Sequence, residues 1–471
     1  MNFPRFGSRA ALTASPAAHA RQHFPSEEEV AQQVARLRQL KGGVRAFGDV
    51  VALGRAAIPA LEAVLREPSS PIFQPRCLAA DALRAIGGED ALQALLRALA
   101  DSLARELSPV LLEAEKAVMN GVAENLGRFA DERVADALLD ALERRPFPEV
   151  ARALGRLGDA RAIPLLVECL HDDVARDAAM EALRSLGERA LPQLQRALLC
   201  PRITHGFEGP TRIAGRAAAA TLLQEIGGDR LYLPLLWALG DAQPEVRLAA
   251  ALALAAGGEL EATRPALPVL VEALGSESWL PASFAARALA LAGRPALEAV
   301  LPWLEARPTS PEESRRRLRA VDAVAALKDA EGLRALGKLA EDEDGALRLA
   351  AVDALRSVAA EQPEAVASAL SFFVADSEPS LRQATARALG LLGARGVALL
   401  AGMLGDPSAR VRRVVTGEIK KLAASSPAEV ASLLEETTSR ASTWGARRRA
   451  RRLLASIGHR RRPSGVRRKL P

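Results

Sequence analysis

The chain has 471 residues, room for about three ordinary domains, and is 49 % apolar but only 3 % aromatic. Its net charge of +6 is unevenly placed: from Thr437 onward there are 12 Lys and Arg and no Asp or Glu, so the preceding 436 residues carry −6. A mildly acidic body argues against nucleic acid lying along the whole chain. Three scattered cysteines argue against a disulfide framework and for a reducing compartment, and no run reaches the roughly 18 apolar residues of a membrane span.

With so few rings, the core must be assembled from Ala, Leu and Val, of which Ala and Leu are strong helix formers. The first 25 residues read as a disordered leader. Arg5 and Arg9 precede a segment ending Ala18-His19-Ala20, a passable cleavage box. That segment holds one leucine among Thr, Ser and Pro, too polar for a secretion signal, and a cytoplasmic location is expected.

From Ser26 two phrases alternate. One has the form Pro-x-Leu-x-x-x-Leu: PALEAVL from Pro59, PLLVECL from Pro164, PQLQRAL from Pro192 and PVLVEAL from Pro268, with shorter forms at Pro234 and Pro302. The other is an apolar residue and Arg followed by alanines: VRLAAALALAAG from Val246, LRLAAVDALRSV from Leu347, LRQATARALGLLG from Leu381 and VRRVVTGEIKKLA from Val411. Each phrase puts apolar residues on one face of a short helix. Proline suits the first helical turn, Leu-Gly or Ile-Gly supplies a left-handed stop, and Asp241, Asp376 and Asp406 offer acceptors at helix starts.

Such a pair cannot bury its apolar face alone, so pairs must stack on one another. The spacing predicts an all-α fold, an α-solenoid of about twelve helix pairs over residues 26–457. A capping helix runs from Thr443 to Ile457, and a basic disordered tail covers 458–471. The phrases LGDARAIPLLVECLHDD and DAQPEVRLAAALALAAG resemble HEAT repeats, specifically the short bacterial kind also found in phycobilin lyases. That resemblance implies protein–protein scaffolding, with a few enzymatic branches.

The chemistry-bearing residues are sparse. None of the five histidines (His19, His23, His171, His205, His459) is followed by Glu, the dipeptide with which one enzymatic branch of the resembled family holds paired irons. His171 reads as a helix-end residue. Nucleophile elbows, phosphate-binding loops and cofactor motifs are not found in the sequence; no catalytic residues, cofactor or metal are assigned. Trp237 and Trp303 fall in second helices and are expected to fill gaps between pairs.

Two features rise above the repeat. SSPIFQP, RRPFP, THGFEGP and SESWLP each place an aromatic just before a proline, ahead of the second, fourth, sixth and eighth pairs. Phe73, Phe147, Phe207 and Trp279 are therefore either staples fixing the chain's entry into a helix or a row of partner contacts along one edge. CPRITHGFEGPTR (200–212) is the longest irregular connection and the foremost candidate for a functional loop. The other feature is the basic end. Arg447, Arg448, Arg451 and Arg452, together with Arg449, would coat the capping helix. Arg460, Arg461, Arg462, Arg467, Arg468 and Lys469 follow in the tail, where they offer weak, sequence-independent contact to nucleic acid or another anionic surface.

The expected role is a non-enzymatic scaffold offering an extended concave surface to a protein partner. The alternatives are a bilin-lyase-like module holding a substrate protein or ligand, and a nucleic-acid-associated protein anchored by its tail. A peptide spanning 440–471 tests the last of these: binding to duplex DNA or acidic vesicles should weaken as salt rises, and indifference to salt, or no binding, rejects anion docking.

Overall fold

The computed structural model describes residues 26–39, 43–105, 108–129, 131–203, 207–227, 232–258, 260–440 and 444–459. The leader 1–25, His19, His23 and His205, and the tail arginines Arg460, Arg461, Arg462, Arg467 and Arg468 with Lys469, lie outside them. Every regular element among the described residues is a helix, and none is long and apolar enough to cross a membrane.

In chain order the helices fall into twelve couples, from Gly43–Ala52 with Ile58–Leu65 to Ala409–Ser425 with Pro427–Arg440. Glu27–Ala35 precedes them and Trp444–His459 follows. The first couple thus starts later than the repeat spacing predicts. Glu27–Ala35 is a separate helix with its own capping box, in which Ser26 accepts from the Glu29 N–H and the Glu29 carboxylate accepts from the Ser26 N–H.

The chain divides into two compact units, 1–159 and 160–471. Within each, helices of one couple pack on their counterparts in the next. In the first unit Gln74–Ile86 lies against Pro109–Leu126; in the second, Pro210–Gly227 lies against Pro244–Gly257 and Ala330–Lys338 against Pro363–Leu370. Alanine permits this closeness. A Cβ on Gly127 would sit 2.7 Å from that of Ala153 on the next first helix, an approach only small residues tolerate. The buried set is accordingly Ala, Leu and Val almost throughout, with Phe373 the largest fully buried side chain.

Local signals operate as expected, with three corrections. Gly158 closes Pro148–Leu157 in the left-handed conformation at φ 71°, but Lys328 holds that position after Pro311–Leu327 at φ 55°, a strain of about 1 kcal/mol for a residue with a Cβ. Pro302 does not open a helix; it lies inside Arg294–Glu305. Asp241, Asp376 and Asp406 do not cap helices. Each accepts from the backbone N–H two residues on, at 2.9, 2.8 and 2.7 Å, closing a turn just ahead of the helix.

Those aspartates do something more. Arg216 pairs with Asp241, Arg317 with Asp342 at 2.5 Å, Arg348 with Asp376 at 2.8 Å and Arg382 with Asp406 at 2.7 Å. Arg348 and Arg382 are buried, and each donates again to a backbone carbonyl six residues before itself, Asp342 at 2.9 Å and Asp376 at 2.6 Å. Each such aspartate receives one couple's arginine on its carboxylate and the next couple's arginine on its carbonyl. From Arg317 to Asp406 the result is an unbroken polar seam through an apolar stack.

The first unit has one dense version of the same device. Glu115, 1 % exposed, accepts from Arg76 at 2.5 and 2.9 Å, Ser102 at 2.5 Å, Ser69 at 2.7 Å and Arg105 at 3.2 Å. Burial pushes its carboxyl upward, but the hydrogen bonds from Arg76, Ser102 and Ser69 outweigh that and hold it down at about 2, against 4.5 in the open chain. Its stabilisation is present in full above 4.5 and is lost as the pH falls from there toward 2. Glu115→Ala, which strands Arg76 in the interior, should cost about 3–5 kcal/mol in chemical denaturation and flatten the loss of stability over that acid range.

Candidate functional site

In the second unit Leu191–Leu199 and Pro210–Gly227 are joined by a connection of which residues 200–203 and 207–209 are described. Such a long break needs an anchor, and Arg216 provides it. Its guanidinium is almost wholly buried and donates to the Leu198 carbonyl at 2.9 Å; its Nη1 donates to both Glu208 at 2.8 Å and Asp241 at 3.3 Å, and its Nη2 pairs with Asp241 as well. Glu208 is equally buried, its side chain 3 % exposed. Its other oxygen, Oε1, has no hydrogen-bond partner among the described residues.

Around this buried triad lie two hollows. One, about 420 Å³, is lined by Glu168, His171, Arg196, Cys200, Arg202 and Arg212, with Glu208 and Arg216 in its wall. Glu168 is shared by Arg202 at 3.0 Å and Arg212 at 2.6 Å. The Arg212 Nη1 hydrogens miss that carboxylate, leaving a buried nitrogen in charge contact but without a hydrogen bond. Arg196 makes no ion pair among the described residues. The other hollow, about 980 Å³, shares Glu208 and Arg216 and is walled by Ile203, Phe207 and Trp237, which are 65, 64 and 72 % exposed.

His171 ties this site to the preceding couple. Burial, then the charge of Arg212, depress its basicity, and a hydrogen bond to the Thr211 backbone partly offsets them, so the ring is neutral at pH 7. The ring lies against Gly215 of the next couple, and its Nδ1 is buried without a hydrogen-bond partner among the described residues. Gly215 must lack a side chain here, because a methyl group would overlap His171 Nδ1.

The aromatics expected before prolines do not share one environment. Phe147 is 3 % exposed and is the N-cap residue of Pro148–Leu157; it is a packing residue and drops out of any contact row. Phe73 is half-buried at the start of Gln74–Ile86. Phe207 and Trp279 are exposed, the latter at the first turn of Trp279–Ala292. Trp303 is half-buried, with the Arg316 guanidinium 4.4 Å from its ring. Trp237 does not fill the expected gap between pairs. It belongs to Tyr232–Ala238, a seven-residue helix that buries only Leu235 and Ala238 and leaves the indole in the apolar hollow.

At the basic end Arg447, Arg448, Arg451 and Arg452 are exposed on Trp444–His459, whose Leu453 and Ile457 are buried. Arg449 turns inward, donating to the Leu404 carbonyl at 2.6 Å. Sequence reading reached the 200–212 connection and Phe207 but missed Glu208, Arg196, Arg202 and the exposure of Trp237. Among the described residues no group of three His, Cys, Asp or Glu could hold a metal ion.

The cysteines give a direct readout. Burial lifts the Cys77 thiol to about 11 and the Cys169 thiol to about 12, while Cys200 is exposed beside the arginine-lined hollow. Iodoacetamide at pH 8 should alkylate Cys200 first, with Cys77 and Cys169 modified only on denaturation; peptide mapping checks the order.

Comparison with known proteins bears on the fold. The model of HEAT repeats matches residues 233–325, and that of the PBS lyase HEAT-like repeat matches 75–101, 149–172 and 175–200. No curated protein sequence matches the chain. Among solved structures, Kap95p bound to RanGDP is similar with a TM-score of 0.53 at 14 % identity, covering 92 % of this chain and 67 % of that one. Yeast importin-β (Kap95p) gives 0.49 at 14 %, over 92 % and 67 %. Kap121p bound to the extreme C-terminus of the protein phosphatase Cdc14p gives 0.49 at 13 %, over 93 % and 54 %. At these identities the likeness is one of fold.

Proposed function

The chain is a HEAT-repeat protein, and on that premise we propose that it is a non-enzymatic scaffold which binds a partner protein around the 200–212 connection. The observation that carries this reading is the apolar hollow. Ile203, Phe207 and Trp237 converge there with most of their surface in water, in a chain with only four tryptophans and eleven phenylalanines. Exposed aromatics gathered in one concavity, beside a second hollow lined by arginines, have the composition of a binding hot spot.

The polar groups nearby support binding over catalysis. Arg216 pairs with both Glu208 and Asp241, and Glu168 is held by two arginines, so these carboxylates are engaged in ion pairs. The fold suits the role: Kap95p, built the same way, is bound to another protein, RanGDP.

The test is affinity capture from the host with the full chain and with Phe207→Ala/Trp237→Ala. Exposed positions tolerate truncation with little loss of stability, within about 0.5 kcal/mol each, so thermal unfolding should hardly change. Proteins retained by the wild type should bind the double variant about tenfold or more weakly, roughly 1.4 kcal/mol or more. An unchanged set of captured proteins, at unchanged affinity, rejects the reading.

A further inference from the structure

Resting on that reading, we propose that the partner segment is an acidic peptide, with a carboxylate in the arginine-lined hollow and a neighbouring apolar side chain in the hollow beside it. Three observations select this chemistry. The first is charge. Arg196, Arg202, Arg212 and Arg216 line the smaller hollow with Glu168 and Glu208; with Asp241, which pairs with Arg216, four arginines meet three carboxylates. The hollow carries uncompensated positive charge in a body that is otherwise mildly acidic, and a carboxylate is the anion that planar guanidinium groups grip in a two-pronged fashion.

The second observation decides between kinds of anion. Glu208 Oε1 is buried and unpartnered among the described residues, which is costly for a carboxylate oxygen unless something donates to it. A phosphodiester brings only acceptors on its backbone and would be repelled by that oxygen. A peptide brings carboxylates on its side chains and an N–H at nearly every residue. It can therefore satisfy the arginines and Glu208 together.

The third is continuity. Glu208 and Arg216 line both hollows, so the arginines and the wall of Ile203, Phe207 and Trp237 adjoin, and a peptide of a few residues has the length to engage both. The occupant is then an extended segment carrying Asp or Glu, followed or preceded within a few residues by a bulky apolar side chain. Long-range attraction to the arginines speeds its arrival, and the apolar contact slows its departure.

The experiment selects random peptides of about 12 residues, up to roughly 40 Å when extended, on the immobilised full-length chain. Recovered sequences should be rich in Asp and Glu with a nearby aromatic or aliphatic residue. Synthetic copies should bind Arg196→Glu/Arg202→Glu about tenfold or more weakly and lose affinity as salt rises. On the wild type they should slow alkylation of Cys200, a readout that does not depend on the variant. Enrichment of basic or neutral sequences, equal binding to the variant, or unprotected Cys200 overturns the proposal. So does displacement by inorganic phosphate or duplex DNA at matched ionic strength, which would make the hollow a phosphate site. If capture of cellular proteins depends on Phe207 and Trp237 but not on Arg196 and Arg202, the scaffold reading stands and the acidic-peptide inference alone fails.

Discussion

A buried arginine that serves two turns at once is the interaction on which the stack depends. An all-helical repeat packed through alanine and leucine has no directional force to fix how one couple sits on the next. Apolar contact is roughly proportional to area and indifferent to register. The arginine supplies direction: its planar guanidinium reaches a backbone carbonyl on one side and an aspartate on the other, as Arg348 does with Asp342 and Asp376. Removing one partner leaves an uncompensated charge in the interior, so neighbouring couples are bound into a common register.

The same device extends to the residues just before Pro210–Gly227. Glu208 and Asp241 both accept from Arg216, sharing its Nη1. Glu208 is thereby held on the polar seam in the interior, with one carboxylate oxygen left over. A structural motif thus becomes a binding feature through one additional acid, with Ile203 and Phe207 carried outward on the same segment.

Exposed apolar groups elsewhere have a different character. On Trp279–Ala292 the outward Trp279 and Leu291 line a separate hollow with Arg287, Arg319 and Asp322, where Arg319 already donates to the Leu274 and Ser276 carbonyls. Around 200–243 the apolar wall adjoins fixed charges and an unsatisfied acceptor, and this combination gives chemical selectivity.

Much was legible in the sequence alone. Alanine-rich segments with apolar residues on one face, proline at helix starts and glycine at helix ends determine short helices in pairs, and pairs that cannot bury their own faces must stack. The recurrence of Asp241, Asp342, Asp376 and Asp406 six residues before an arginine was visible too. Its meaning was not, because each aspartate's side-chain partner, from Arg216 to Asp241 or Arg348 to Asp376, is 24 to 28 residues away. Only the stacked fold brings them together.

The site divides the same way. The length of the 200–212 break and the prominence of Phe207 are properties of the local chain. Which aromatics face water is not: Phe147 and Phe207 occupy like positions before a proline, yet one is buried and the other exposed. Exposure is decided by what the neighbouring couple covers. Likewise Arg196, Arg202 and Arg212 were three among 56 arginines until folding set them around one carboxylate. Sequence determines what each segment is inclined to become, because propensity and capping act over a few residues. Tertiary structure alone decides which charges meet and which rings stay dry, because those are properties of contacts between segments distant in the chain.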